Sequence, residues 1–560
     1  MSRTDIAPVS PGVVDDKNDV AHHEAPPPGA EFVASTTVSP FQHLGIFDTL
    51  KTFRKASILC ILTGFNACSD GYQLTMPGNV IAMPGFIDLF GIEFQGSKAL
   101  LATTISNWAA AYTGAYIFIL LLGSWPADIL GRKLCLLFVQ VFLACACLCE
   151  MFAQTWQLWL VSKIFAGLSV GLNQCVASAY VSELAPTKAR GALLGVYQLY
   201  FALGQFAAAI GVKVVDTAYP ASQWRRAIYS EWVFTGVALI IWVFLPESPR
   251  WLAQKGKHDR AKAVLRRVNG SVEGYDVDSE YAILVAEIED GRRLTAQMKS
   301  VSILSLFRGT NLRRTLISFG PFGWQQWIGV PVIFGYTSYF FQLAGLKDPF
   351  SGTIAVFLIL LFFVGISFFF VERFGRRRLL LIGGVTMLVC LLIVGGMGTI
   401  TNVTPVTGGV IIAFSCVWVA AYALSAGPIG YVYLAETSTV LLRAKTTSIA
   451  AAMTGCLNLV VNYCTPLMLA PTGANWGVKG VAFFYFGTGL IGLVLVYFFI
   501  PTQNCDLSTW LTIGISETKG RSYVELDELF ERKIPARKFR NTRTTAEEVY
   551  EVSAKEAEAV

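Results

Sequence analysis

The stretch A-D-I-L-G-R-K (127–133) recurs as V-E-R-F-G-R-R (371–377), which sets Asp128 and Glu372 244 positions apart. A second stretch, Y-V-S-E-L-A-P-T-K-A-R (180–190), recurs as Y-L-A-E-T-S-T-V-L-L-R (433–443) at an offset of 253, with the same seven-residue step from Glu to Arg. Two different motifs repeating at nearly one spacing indicate a duplication. A third pair is weaker: P-E-S-P-R-W-L (246–252) echoes S-E-T-K-G-R-S (516–522) at an offset of 270. Removing Thr502 to Ser516 brings that offset to 255, so the segment 502–516 reads as an insertion, either a real loop or translated intron sequence.

Each half must bury or immerse an unusual amount of apolar surface. Of 560 residues, 54% are hydrophobic and only 15% charged, and the mean hydropathy is +0.53, more than one soluble core needs. A helix crosses a bilayer in about 20 apolar residues. Twelve such spans are expected: 57–80, 99–122, 133–153, 156–180, 190–213, 227–246, 314–342, 351–371, 379–400, 408–434, 446–470 and 478–500. The chain is thus expected to be an all-α membrane protein, with twelve transmembrane helices in two pseudo-symmetric six-helix bundles, 57–246 and 314–501. A cytoplasmic linker with short helices, 247–313, joins them. Residues 1–56, rich in Pro, Ser and Asp, read as a disordered cytoplasmic tail, and 502–560 as a second cytoplasmic tail.

Basic residues fall on alternate connections: Arg132 and Lys133, Lys188 and Arg190, the linker, Arg373 to Arg378, and Arg443 with Lys445. The positive-inside rule places those loops and both termini in the cytoplasm. Topology therefore accounts for the net charge of +6, and a nucleic-acid partner is excluded. Trp224-Arg225-Arg226 lies on the other side, against the rule. Eleven of the twelve cysteines fall in spans or at their cytoplasmic ends and read as small packing residues; Cys505 is the exception. The four histidines lie in the tail and linker, so no histidine chemistry is expected inside the membrane and no metal site or enzymatic constellation is expected.

Taken together, D-x-x-G-R-K, P-E-S-P-R-W-L, Q-Q-W-I-G and E-T-K-G-R-S-Y-x-E-L-D-E-L-F-E resemble the sugar porter family of the major facilitator superfamily, over residues 57 to 540. G-Y-T-S-Y-F-F-Q-L-A-G-L (335–346), E-T-S-T-V-L-L-R-A-K-T-T (436–447) and P-L-M-L-A-P-T-G-A-N-W-G-V-K (466–479) resemble its fungal maltose and α-glucoside permease branch. The resemblance implies the major facilitator fold. It also implies alternating-access transport of a hexose or α-glucoside, at the plasma membrane, by a monomer without a cofactor, its partners being the sugar and the lipid bilayer. Proton-coupled symport is the family default. An exporter of a fungal metabolite and a nutrient sensor are readings on the same scaffold, and the short segment after Gly520 argues against the sensor.

Paired charges at helix ends can latch two halves together and release them. The expected cytoplasmic gate residues are Asp128, Arg132, Glu183, Arg190, Glu247, Arg250, Glu372, Arg376, Glu436 and Arg443. A sugar site needs amides for hydroxyls and aromatic faces for C–H surfaces. Gln198, Gln325, Gln326, Asn458, Trp324, Tyr336 and Tyr431 supply these near mid-membrane, and the resemblance places Gln198, Gln325 and Gln326 on sugar-contacting positions. Two positions depart from the family: Pro331 stands where many members carry Asn, and Gly430-Tyr431 where many carry Trp. Asn402-Val403-Thr404 is an extracellular glycosylation sequon close to the membrane.

Many members read G-Y-D where this chain reads Gly71-Tyr72-Gln73, and that aspartate is their usual proton acceptor, paired with an Arg where this chain has Lys163. Asp70 occupies the place of a second acid found in the α-glucoside branch. Asp70 and Gln73 are three residues apart, on one helical face, with Lys163 expected to reach either. Asp70 is then the expected proton site; the amide at Gln73, as in facilitative members, fits uniport equally.

Overall fold

The computed structural model describes residue 41 and residues 45–300, 309–374, 376–400, 404–436 and 443–499. The proposed insertion 502–516, the C-terminal echo at 516–522, Asn402 and most of the N-terminal tail lie outside the described residues, as do the side chains of Glu372, Tyr431, Glu436 and Arg443.

In the first half, α1 (Ile46–Thr52) leads into α2 (Arg54–Gly64), α3 (Asn66–Val80) and α4 (Pro84–Phe90), then a hairpin of β1 (Ile92–Phe94) and β2 (Ser97–Ala99). There follow α5 (Ala102–Leu122), α6 (Ser124–Leu130), α7 (Arg132–Phe152), α8 (Trp156–Leu184), α9 (Arg190–Ala218), α10 (Arg226–Tyr229) and α11 (Glu231–Phe244). The linker carries α12 (Pro249–Gln254), α13 (His258–Asn269) and α14 (Val277–Ser300). The second half contains α15 (Gly309–Trp327), α16 (Thr337–Leu343), α17 (Pro349–Phe374), α18 (Arg376–Met397), α19 (Pro405–Leu424), α20 (Ala426–Glu436), α21 (Arg443–Leu469) and α22 (Gly477–Phe499).

Among the described residues, ten helices are long and apolar enough to cross a membrane. The two expected spans that are not among these ten are the first of each half. The first breaks at Phe65 into α2 and α3. The seventh breaks after Trp327: Gly329 adopts φ +101, which glycine tolerates without a Cβ penalty, and Pro331 opens a single turn of π-helix, Pro331–Gly335. Proline removes an N–H donor and cannot continue an α-ladder, so Pro331 has a direct backbone consequence. Interrupted helices at corresponding places in two repeats mark where a carrier holds its solute.

Side chains facing outward are apolar. Phe118, Val233, Phe362 and Ile491 keep 59, 64, 61 and 64% of their surface exposed, a pattern suited to lipid rather than water. Helices inside each half approach through small residues: a Cβ at Gly71 would lie 2.0 Å from the Phe201 carbonyl oxygen, and one at Gly204 2.0 Å from that of Cys68, so α3 and α9 touch backbone to backbone. The arginines that broke the charge rule have structural seats. Arg225 Nη2 donates to Ala153 O at 2.6 Å, at the carbonyl end of α7, and its guanidinium lies over Trp224; a cation at that end complements the helix dipole. Arg226 lies over Tyr219.

Candidate functional site

The two halves meet tightly at the end of the bundle away from the basic loops. A Cβ at Gly78 of α3 would lie 1.7 Å from Gly335 O, at the close of the π-turn. Ser338 Oγ donates to Asn79 Oδ1 at 2.8 Å, Ser106 Oγ to Tyr463 O at 2.7 Å, and Thr472 Oγ1 to Leu100 O at 2.8 Å. Lys213 and Asp348 form an ion pair at 2.6 Å. Burial raises the Asp348 carboxyl, but Lys213 and two hydrogen bonds from Ser351 outweigh it and hold the group below the usual carboxylate range. That contribution to closure is therefore present above the ordinary carboxylate value and lost as pH falls through the lowered one.

Beneath this seal lies a cavity of about 180 Å3 between α3, α5 and α8 of one half and α15, the π-turn and α21 of the other. One water needs roughly 10–15 Å3 on the same measure, so the space suits a solute. Its polar lining includes Gln73, Tyr112, Lys163, Gln326, Asn458 and Asn462, and its aromatic lining Trp108, Trp159, Phe334 and Tyr336. Asn462 Nδ2 hydrogen-bonds to Asn458. Trp108 Nε1 donates to Trp156 O at 3.0 Å, which fixes its ring at the cavity edge.

The structure brings together Gln73, Lys163, Gln326, Tyr336 and Asn458 of the expected residues. Among the others whose side chains are described, Gln325, Trp324, Gln198 and Asp70 stand outside the lining. Gln325 is buried beside the cavity and accepts from Tyr422 Oη at 2.9 Å. Trp324 turns to α22, donating to Gly489 O at 2.9 Å and packing on Gly492, so it serves helix packing rather than the cavity wall. Gln198 is exposed on α9, outside the lining. Sequence reasoning missed Trp108, Trp159 and Asn462, which are aromatic or amide groups in spans and carried that signal.

Asp70 and Gln73 diverge despite their spacing. Asp70 Oδ2 accepts from Asn173 Nδ2 at 2.8 Å and from Tyr197 Oη at 2.5 Å, between α8 and α9 and outside the cavity lining. Gln73 faces the cavity, its Nε2 3.4 Å from Glu150 Oε1. Lys163 reaches neither expected position; it pairs with Glu150 at 2.5 Å and lies over the Trp159 ring. Glu150 and Glu231, both fully buried, were not expected. Their signal was plain: a carboxylate inside an apolar span is costly and marks function.

At the other end, Gly131 at φ +98 ends the D-x-x-G-R-K turn, and a Cβ there would lie 2.4 Å from Glu247 Oε2. Glu247 fills that space, accepting the N–H groups of Arg132 at 2.9 Å, Lys133 at 3.1 Å and Ser248 at 2.9 Å, and so capping α7. Arg132 bridges Asp128 at 3.1 Å and Glu183 at 2.9 Å. These partners belong to the first half and the linker, and none crosses to the second half among the described residues. Arg250 pairs with Glu287 of α14 at 3.7 Å, not with a neighbouring gate acid; Arg190 and Arg376 are half-buried at the starts of α9 and α18. Glu247→Ala removes an acceptor shared by three N–H groups; it should cost about 1–2 kcal/mol, read as a lowered melting temperature of the purified protein.

A family model described as "Sugar (and other) transporter" matches residues 59–530. The chain is 27% identical to the low-affinity glucose transporter HXT3 of Saccharomyces cerevisiae, over 85% of this chain and 82% of that protein. It is 27% identical to the high-affinity fructose transporter ght6 of Schizosaccharomyces pombe, over 73% and 74%, and 28% identical to the MFS transporter fmqE of Aspergillus fumigatus, over 87% and 88%. Among solved structures, the inward-open conformation of the xylose transporter XylE from E. coli matches with a TM-score of 0.67 at 20% identity, over 85% of this chain and 99% of that one. The fold is that of the major facilitator superfamily.

Proposed function

The chain belongs to the Sugar (and other) transporter family, and on that premise we propose that it imports a monosaccharide with protons, by alternating access around the cavity between its halves. The observation that carries this is the cavity itself: amides and tyrosines from both halves and two indole faces from the first converge beneath a seal in which the two broken helices meet. Amides pair with ring hydroxyls, and aromatic faces cover the C–H surface of a pyranose. The wall also holds Lys163, ion-paired with a buried acid, which supports coupling to protons.

The hexose class is favoured by the glucose and fructose transporters among the relatives. An α-glucoside remains a second reading, supported by the three stretches at 335–346, 436–447 and 466–479. The amide at Gln73 supports a uniport alternative. The proposed membrane is the plasma membrane, with the Gly131–Glu247 end in the cytoplasm and the sealed end outside.

Uptake of labelled hexoses, pentoses and α-glucosides in a transporter-null yeast at two external pH values tests all of these. The expected result is hexose accumulation that rises at the lower pH and collapses with a protonophore. Uptake that equilibrates without accumulating and ignores the protonophore would establish uniport instead, and no uptake of any sugar would sink the reading.

A further inference from the structure

Three ionisable groups are buried together beside the cavity. Lys163 Nζ donates to Glu150 Oε1 at 2.5 Å, the two side chains being 3 and 0% exposed. Glu150 Oε2 receives no hydrogen bond from the protein, and the two oxygens of Glu231 have only the Cys147 thiol, a weak donor, beside them. Glu231 heads α11 and lies in the electrostatic reach of Glu150, Lys163 and Cys147. The groups facing this cluster are Tyr72 and Gln73 from α3, Cys147 from α7, Lys163 and Trp159 from α8, and Ser230 beside Glu231. Tyr72 Oη is held by Ser230 and Ala227, and Arg225 beyond the end of α7 donates to Ala153 O.

Two carboxylates stand against one ammonium. If both were ionised, a net negative charge would sit buried with one ammonium, one amide and one thiol to compensate it, which burial makes strongly unfavourable. One proton makes the trio neutral, and two like carboxyl groups near one cation share such a proton as a pair. We propose that Glu150 and Glu231 jointly hold the proton exchanged in the transport cycle, with Lys163 as their counter-cation, in place of Asp70. Asp70 is otherwise engaged: its carboxylate already accepts two hydrogen bonds, from Asn173 and Tyr197.

The link to solute follows from shared atoms. Lys163 and Gln73 both line the cavity and both approach Glu150 Oε1. A sugar hydroxyl that hydrogen-bonds either group competes with Glu150 for it, which changes how well the unprotonated pair is compensated. By linkage, proton occupancy changes sugar affinity by the same factor. The proton enters from and returns to water as the halves rock, and no bond to the sugar forms or breaks.

The inference rests on the proton-coupled reading, and two measurements separate them. Either Glu150→Gln or Glu231→Gln leaves one acid for one ammonium, so no proton is then held. Purified wild-type protein should show a protonated-carboxyl infrared band that titrates with pH. That band should be lost in E150Q and E231Q and kept in D70N. In proteoliposomes with an imposed pH gradient, accumulation of labelled D-glucose should fall at least tenfold in both glutamine variants, and glucose exchange should lose its dependence on pH. E231Q keeps the 2.5 Å pair and so guards against misfolding of E150Q. A band that persists in both variants, or disappears in D70N, overturns the proposal, as does undiminished accumulation by both. A protonophore-insensitive wild type overturns the coupled reading and this inference with it. A sensitive wild type with accumulating variants overturns the inference alone. Absence of glucose uptake by the wild type overturns the sugar reading, while the infrared band still decides whether the pair holds a proton.

Discussion

Lys163→Met is expected to abolish transport and to lower stability by about 3–5 kcal/mol at neutral pH, the usual cost of removing one partner from a buried ion pair. Glu150 is 0% exposed, and among the described residues the Gln73 amide at 3.4 Å is the side-chain donor left to it without Lys163. A carboxylate so placed must take a proton or stay uncompensated. The sign of the pH effect follows: the loss should be largest at high pH, where the acid must ionise, and smallest at low pH, where it need not. Thermal melting of wild type and variant across pH 5 to 8 reads this directly. The double variant Lys163→Met, Glu150→Gln should regain part of the lost stability, because only Glu231 of the two buried acids is then left without the ammonium, yet still fail to accumulate sugar. Equal melting of wild type and K163M at all pH values would show that the pair contributes nothing.

Gly78→Ala should shift the protein away from the sealed arrangement. The Cβ would be placed 1.7 Å from Gly335 O, a backbone atom that cannot rotate aside. Because Gly78 belongs to the first half and Gly335 to the second, the overlap is relieved by the halves parting at this end. The variant should therefore favour the state open opposite the basic loops. Ile81, a cavity residue 2% exposed here, gives a readout. A cysteine placed there should react severalfold faster with a membrane-impermeant maleimide in G78A than in the parent, while melting of the purified protein changes little. A shift of about 1.4 kcal/mol between two states is a tenfold change in their ratio, so a modest relief of overlap is enough. Unchanged labelling with a large loss of stability would mean that the contact is structural rather than conformational.

Much of this molecule was legible in one dimension. The duplication followed from two motifs repeating at nearly one offset, and the spans followed from hydropathy, because a bilayer forces apolar runs of a set length. The gate motif was legible as chemistry but not as geometry. Its Asp, Arg and Glu residues were expected to latch the halves, whereas those described tie α6, α7, α8 and the start of the linker to one another. A charge pattern names possible partners, and only packing selects among them. The same limit applies at Trp324, where the choice between cavity and helix interface was made by the small residues Gly384 and Gly492 opposite it.

By itself the sequence determined the membrane class, the repeated motifs, the placing of basic residues on alternate connections and the presence of polar groups in apolar spans. These depend on composition and period, which are local properties of the chain. The tertiary structure alone decided which polar groups meet. Asp70 and Gln73, three residues apart on α3, face different neighbours, because α8 and α9 supply Asn173 and Tyr197 to one while α7 supplies Glu150 to the other. Glu150, Lys163 and Glu231 come from three different helices. No helical period relates residues on separate segments; their meeting is set by how those helices cross.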